Sequence, residues 1–462
     1  MTHPKWTRRR LLKTAGAAFA TPYLVPSHVL GALGQAGAND KVNVAIIGLG
    51  GRARSIANTC KPIAEMRVVA ICDCFTPLCD SFIKAVGKDQ NWEKYDDFRK
   101  MFDKQKLDGV MVETTTHARA WIAIQAMQAG IDTYIEKPMC LTIAEGRYMV
   151  QAARKYQRVT QVGTQQRSMP INNWASDLVK NGAIGKVHTV IAPNFVGPDR
   201  WTPKPAQPMP EGGRADWWDI WTNQAEFRPY HRSLHRGWAT WWAYDGGGRC
   251  YGVTGWGTHS YDQINRALGT DETGPIEIVL EEPVRIEDCG KKEMPNEVDA
   301  TSLDYLLRLA RNVKGPRAKV RMKFAGGTEL RLHLNGNWGP GMGAIFVGEK
   351  GKIEINRNKI ASNPKELVAS PDNPGPNKKP ETQYHVEDWV RCIKTRRRCT
   401  ADIEYGQRSS TLCYLVNIAR DVGHVGEKLQ WDPQAERFTN CDEANTMLSR
   451  KRRKAYELPE LT

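Results

Sequence analysis

Short apolar runs rich in β-branched residues recur through the first third of the chain. They are separated by longer segments whose apolar positions return every third or fourth residue. Residues 42–47, 67–72, 109–114, 132–135 and 159–162 have the length and composition of strands buried on both faces. The segments between them, notably 121–129 and 143–156, carry the helical period. Alternation of this kind implies a doubly wound parallel sheet. Further on the pattern changes. Residues 187–195, 276–282, 317–323, 329–335, 344–347 and 352–356 are expected strands, several alternating apolar and polar, while 385–392 and 411–422 are expected helices. Residues 358–380, rich in Asn, Pro, Lys and Ser, are expected to form an exposed loop.

The first apolar run ends in Gly48, followed by Gly50 and Ala53 in the spacing G-x-G-x-x-[GA], with a helical pattern from about Arg52. Gly48 permits the tight turn and Gly50 the close approach of a pyrophosphate. Ala53 permits close packing of helix on strand, with the phosphate over the helix N-terminus. The second run ends in Asp73, about 25 residues on, the separation at which an acidic residue reaches the adenosine ribose. Cys74 and Phe75 follow it, with no Arg to take a 2′-phosphate, so NAD is expected over NADP.

Length adds a second domain, since the roughly 420 residues beyond residue 38 exceed what one core usually serves. The expected division is 39–165 for the dinucleotide domain and 166–462 for a second domain. The first 38 residues stand apart: Thr7-Arg8-Arg9-Arg10-Leu11-Leu12-Lys13 has the form of a twin-arginine signal, and the Ala-rich segment after it is interrupted by Pro22 and Pro26. Periplasmic or otherwise exported delivery is the expectation, with no stable membrane span. The net charge of +15 does not point to nucleic acid. Five positive charges lie in the signal, and the clusters at Arg396–Arg398 and Arg450–Lys454 lack interleaved aromatics. The 11 cysteines form no CxxC pair, so metal ligation is not expected, and disulfides cannot be paired. Residues 201–245 hold Trp217, Trp218, Trp221, Trp238, Trp241 and Trp242 with Tyr230 and several Arg. Indoles suit the C–H faces of sugars, and they equally suit packing of the insertion on its own domain.

The order GLGGRA, Asp73, TTTHARA, YIEKPMCLTIAEG and QVGTQQRS resembles the Gfo/Idh/MocA oxidoreductases, the family of glucose–fructose oxidoreductase and inositol dehydrogenase. Glu136-Lys137-Pro138 and the surroundings of His259 are the most specific parts. The resemblance implies an N-terminal Rossmann domain and a C-terminal α/β domain on an open, mostly antiparallel sheet. It implies Lys137 in contact with cofactor and reacting hydroxyl, and His259 as general base. Gly255 stands where the family pattern D-x-G-x-H-x-x-D has its Asp, which leaves open loss of activity or a different acid from the insertion. Asp262 is expected to pack or cap a helix.

The expected cofactor contacts are Gly48, Gly50, Gly51, Arg52, Ala53, Asp73, Thr114, His117, Glu136 and Lys137. The expected substrate contacts are Arg119, Gln165, Trp238 and Tyr261. The function implied is NAD-dependent oxidation of a secondary hydroxyl of a carbohydrate or polyol, by a homo-oligomer with tightly bound NAD. An NAD-using glycoside hydrolase and a non-catalytic carbohydrate-binding protein stand as alternatives.

Overall fold

The computed structural model describes residues 40–249, 251–288, 314–334 and 341–462. The signal-like segment, Cys250 and Cys289 lie outside them. The first half alternates strand and helix: β1 (Val42–Ile47), α1 (Gly51–Cys60), β2 (Met66–Cys72), α2 (Pro77–Val86), β3 (Glu93–Tyr95), α3 (Phe98–Lys104), β4 (Gly109–Val112), α4 (Thr116–Gln128), β5 (Asp132–Ile135), α5 (Ile143–Lys155) and β6 (Thr160–Val162). The six strands pair in parallel in the order β3-β2-β1-β4-β5-β6. Helices cover both faces, which is why the strands read as unbroken apolar runs. The order reverses between β1 and β4, and a crevice opens there at the strands' carboxyl ends. Gly48 turns the chain off β1 with φ +86°, and a Cβ there would lie 2.7 Å from the Thr114 nitrogen. Only glycine permits both the conformation and that approach.

After α6 (Pro170–Lys180) and β7 (Val187–Pro193), the Trp-rich insertion contributes two short helices, α7 (Trp217–Thr222) and α8 (Arg232–Arg236). Then come α9 (Gly257–Leu268) and strands β8 (Pro275–Leu280), β9 (Arg285–Asp288), β10 (Lys314–Arg317), β11 (Val320–Phe324), β12 (Glu329–Leu334), β13 (Ala344–Gly348), β14 (Gly351–Asn356) and β15 (Lys359–Asn363). The chain closes with α10 (Glu381–Thr395), α11 (Ile403–Val422), β16 (Lys428–Asp432), β17 (Arg437–Phe438) and α12 (Asp442–Thr446). Among the described residues nine strands form the second sheet, in the order β15-β14-β13-β7-β12-β11-β8-β16-β17, antiparallel except for β7 with β12.

Two features differ from the sequence expectations. The loop expected over 358–380 begins with β15, an edge strand joined to β14 across Arg357, which takes φ +56°. Its polar sequence Lys-Ile-Ala-Ser-Asn hides a strand that is half-buried on one face only. The second feature is α10, which returns to the Rossmann half. Val386, Trp389, Val390 and Ile393 join the cluster of β1, β4 and α1, and the fully buried Trp389 lies directly on Gly109. The core around β1, β4 and α1 therefore includes a helix from far along the chain. Among the described residues no helix is long and apolar enough to cross a membrane.

Candidate active site

The turn Gly48–Gly51 and the strand ends Cys72–Asp73, Glu113–Thr114 and Glu136 line a cleft of about 320 Å³. Along its floor the space above Gly50 and Gly51 is open, with nothing within 4 Å of a Cβ placed on either. The first free N–H groups of α1 face it, the arrangement that receives a pyrophosphate. At one end the Asp73 carboxylate accepts from the Leu49 and Phe75 nitrogens, both at 2.9 Å. Burial pushes its pKa up to about 6 against those two hydrogen bonds. Each oxygen keeps a second lone pair for a ribose hydroxyl. At the other end Arg52 Nε donates to Glu136 Oε2 at 3.3 Å. These residues fit a dinucleotide.

The opposite wall comes from the insertion: Ile220, Trp221, Asn223, His235, Arg236 and Trp238 face the glycine turn. Trp217, Trp218, Tyr230, Leu234 and Tyr244 pack together around Phe75, two residues after Asp73, with the Phe75 and Trp217 rings 4.7 Å apart. Thr76 Oγ1 donates to the Gly212 carbonyl at 2.7 Å, and Arg214 pairs with Asp97 at 3.5 Å. The insertion is thus a cover over the nucleotide cleft, with most of its indoles used as packing.

Lys137 follows Glu136 at the end of β5. Its Nζ donates to the Gly255 carbonyl at 2.7 Å, and burial is the main influence lowering its pKa. His259 stands one turn after Gly255 on α9, with Nδ1 buried and without a partner. Burial, and next the charge of Lys137, hold its pKa well below the usual histidine value. The ring is therefore neutral near pH 7 and able to accept a proton. The departure at residue 255 is built into the backbone, since a Cβ on Gly255 would lie 2.2 Å from the Arg249 carbonyl oxygen. No side chain fits there without displacing that loop.

A buried carboxylate occurs nearby instead. Asp245, the last residue of the insertion, accepts from Thr116 Oγ1 at 2.5 Å and from Thr254 Oγ1. Its charge bears on both Arg119 and Lys137. Arg119 Nη1 donates to Thr116 Oγ1 at 3.1 Å, and other Arg119 donors hold the carbonyls of Thr114 and Pro138. One network therefore joins the ends of β4 and β5, the insertion and the start of α9.

Several expected contacts are placed differently. Arg119 borders the cleft, but its hydrogen bonds go to the two strand-end turns, making it a strut and not a free anion ligand. His117 is wholly buried. Its Nε2 donates to the Trp221 carbonyl at 2.7 Å, and burial holds its pKa down to about 4. It docks the insertion and does not line the cleft. Trp238 faces the nucleotide cleft. Tyr261 is fully buried in the C-terminal core, its ring 5.7 Å from that of Phe195, and Gln165 is buried at the head of a short 3₁₀ turn. Asp262 makes a buried ion pair with Arg167 at 2.8 Å. Two residues of the site escape the sequence reading. Asp245 is one; the other is Glu113, whose unpartnered carboxyl borders the cleft and is pushed up to about 8 by burial and the neighbouring Glu136.

Comparison with known proteins agrees with this geometry. Residues 42–164 match the oxidoreductase family described as an NAD-binding Rossmann fold, and residues 177–296 and 308–458 match the same family's C-terminal alpha/beta domain. The chain is 29% identical over 142 residues to a D-apiose dehydrogenase of Paraburkholderia graminis, covering 30% of this chain and 37% of that protein. It is 31% identical over 175 residues to a glycosyl hydrolase family 109 protein of Shewanella baltica, covering 33% and 38%. The matches thus span under two-fifths of the length of these relatives. The WlbA dehydrogenase of Bordetella pertussis, solved with NADH and UDP-GlcNAcA, shares the fold with a TM-score of 0.54 at 14% identity, covering 85% of this chain and 99% of that one. The matches to both domains, over most of the chain, establish that it belongs to the Gfo/Idh/MocA oxidoreductase family, whose cofactor is NAD.

Proposed function

We propose that the protein oxidises a secondary hydroxyl of a sugar or related polyol beside Lys137 and His259, next to Glu136 of the cleft. The observation that carries this reading is a buried lysine held on the Gly255 carbonyl and, one turn beyond Gly255, a neutral imidazole whose Nδ1 has no partner and on which the Lys137 charge acts. NAD, when bound, supplies the group that accepts the hydride. Gly50, Gly51 and Asp73 would hold its phosphates and ribose, with Glu136 and Arg52 at the other end of the cleft. The Lys137 ammonium holds the substrate oxygen, and the His259 ring takes the hydroxyl proton. The insertion, which lines the cleft opposite the glycine turn, would exclude water and slow release of the nucleotide. The twin-arginine form of the N-terminal sequence supports export with the nucleotide already bound, and in that setting a redox-neutral cycle keeps the protein active.

Lys137→Met and His259→Asn should each lower turnover at least ~100-fold, the scale of a positioned acid/base group. Turnover at the wild-type rate in the His259 variant would assign the base elsewhere. A second reading follows from the family 109 relative: oxidation, elimination of an aglycone and return of the hydride. Release of free sugar from an aryl glycoside without net NADH would select it.

A further inference from the structure

Three ligand-bearing side chains meet at the end of α10, away from the cleft. Asp388 and Cys392 are four residues apart, so they share one face of the helix. The chain then reverses through Arg396, at φ +57°, and returns Cys399 to the same place. One carboxylate oxygen and the two sulfurs all lie within 4.8 Å of one another. The cysteines are 1% and 3% exposed, and neither is in a disulfide. Two sulfurs on one tetrahedral zinc stand about 3.8 Å apart, as follows from a Zn–S bond of about 2.3 Å, so a triangle of this size needs little closure to surround an ion.

We propose that Asp388, Cys392 and Cys399 form a binding site for a thiophilic divalent cation, zinc foremost, with water completing the tetrahedron. Three further observations support it. The shape is held without an ion: Asp388 Oδ2 accepts from the Thr400 nitrogen at 2.8 Å, and Cys392 Sγ lies 3.7 Å from the Arg398 carbonyl oxygen. The charges suit the complex. Two thiolates and a carboxylate leave a divalent ion with one net negative charge; Cys392 is hydrogen-bonded with Cys399, and the charges of Arg397 and Arg391 act on it against that of Asp388. The two thiol protons pass to solvent as the ion binds. Cys399 also borders a surface concavity of about 480 Å³, walled largely by Arg154, Arg158, Arg396, Arg397 and Arg398, positive charges that offset the net negative charge of the ion complex.

The bound ion would fasten α10 to the segment that follows Cys399. In that segment the Ala401 carbonyl accepts from the Val162 nitrogen at 2.9 Å, so the clamp reaches the outer strand of the Rossmann sheet. The site is independent of the oxidoreductase reading.

Cobalt(II) is the direct probe, because thiolate ligation gives it a charge-transfer band. The full chain, reduced and freed of metal by chelation, is titrated with cobalt and then with zinc. The expected result is a band that saturates at one cobalt per chain and is displaced by zinc. Cys392→Ser and Cys399→Ser should abolish it, and Asp388→Asn should weaken binding at least ~10-fold, with NAD binding unchanged in all three. The wild-type titration decides alone if a variant fails to fold. Absence of the band in protein whose thiols alkylate freely would overturn the site. So would isolation of Cys392 and Cys399 as a disulfide that persists under the reducing conditions of the titration.

Discussion

Asp245 and Asp73 are both buried carboxylates, and their surroundings give them different tasks. Asp245 has its oxygens occupied by two threonine hydroxyls and lies close enough to Lys137 to favour its ammonium form. Asp245→Asn removes that charge, so the Lys137 limb of the pH profile of kcat/KM should move to lower pH; loss of rate with an unmoved profile would make Asp245 a packing residue only. Asp73 titrates near 6, and ribose hydroxyls bind its ionised form. NAD affinity should therefore fall as pH drops through 6, and binding measured from pH 5 to 8 should lose that dependence in Asp73→Asn. Truncation to Asp73→Ala should weaken NAD binding by about 1.5–3 kcal/mol at neutral pH, the scale of hydrogen bonds to a charged group. The sequence made Asp73 legible because a ribose carboxylate sits at a fixed distance from a glycine turn. Asp245 was hidden because its partners, Thr116 and Thr254, come from distant segments.

Elements show the same division. The strands β1, β2, β4, β5 and β6 were legible because double burial leaves an apolar run with no alternation, and the glycine turn was legible because its geometry admits few residues. The insertion was not, because stacking on a sugar and packing on a neighbour ask for the same indoles. Its position over the cleft depends on Phe75, Thr76 and Asp97, which carry no signal in sequence. Trp217→Ala should loosen this cover and raise the dissociation rate of NAD at least ~10-fold, equivalent to about 1.4 kcal/mol. Stopped-flow displacement of bound nucleotide measures it, and an unchanged rate would show that the insertion does not gate release. The triad of Asp388, Cys392 and Cys399 was illegible for a different reason: a helix turn and a left-handed residue, not a short Cys spacing, bring it together.

At the scale of the whole molecule, the Rossmann half is completed by a helix from the far end of the chain. Trp389→Ala should cost about 3–5 kcal/mol, the range for emptying a large aromatic site, and urea unfolding followed by circular dichroism should show it as an earlier transition. Sequence order conceals this because α10 lies more than two hundred residues beyond β6. The same architecture sets the cleft between the glycine turn and the insertion, with Lys137 directly following Glu136 of its lining. The central claim is that the nucleotide stays in this cleft and exchanges a hydride with a sugar there. Retention requires a Kd far below micromolar, or more than about 8 kcal/mol of binding free energy. The most direct measurement is the absorbance of NADH in gel-filtered protein, with no nucleotide added, on mixing with a panel of sugars and polyols. The account predicts that nucleotide co-elutes with the protein and that a sugar reduces it in place, with the signal lost in Lys137→Met. Protein that elutes empty and needs millimolar added NAD to turn over would contradict it and make the protein an ordinary dissociable dehydrogenase.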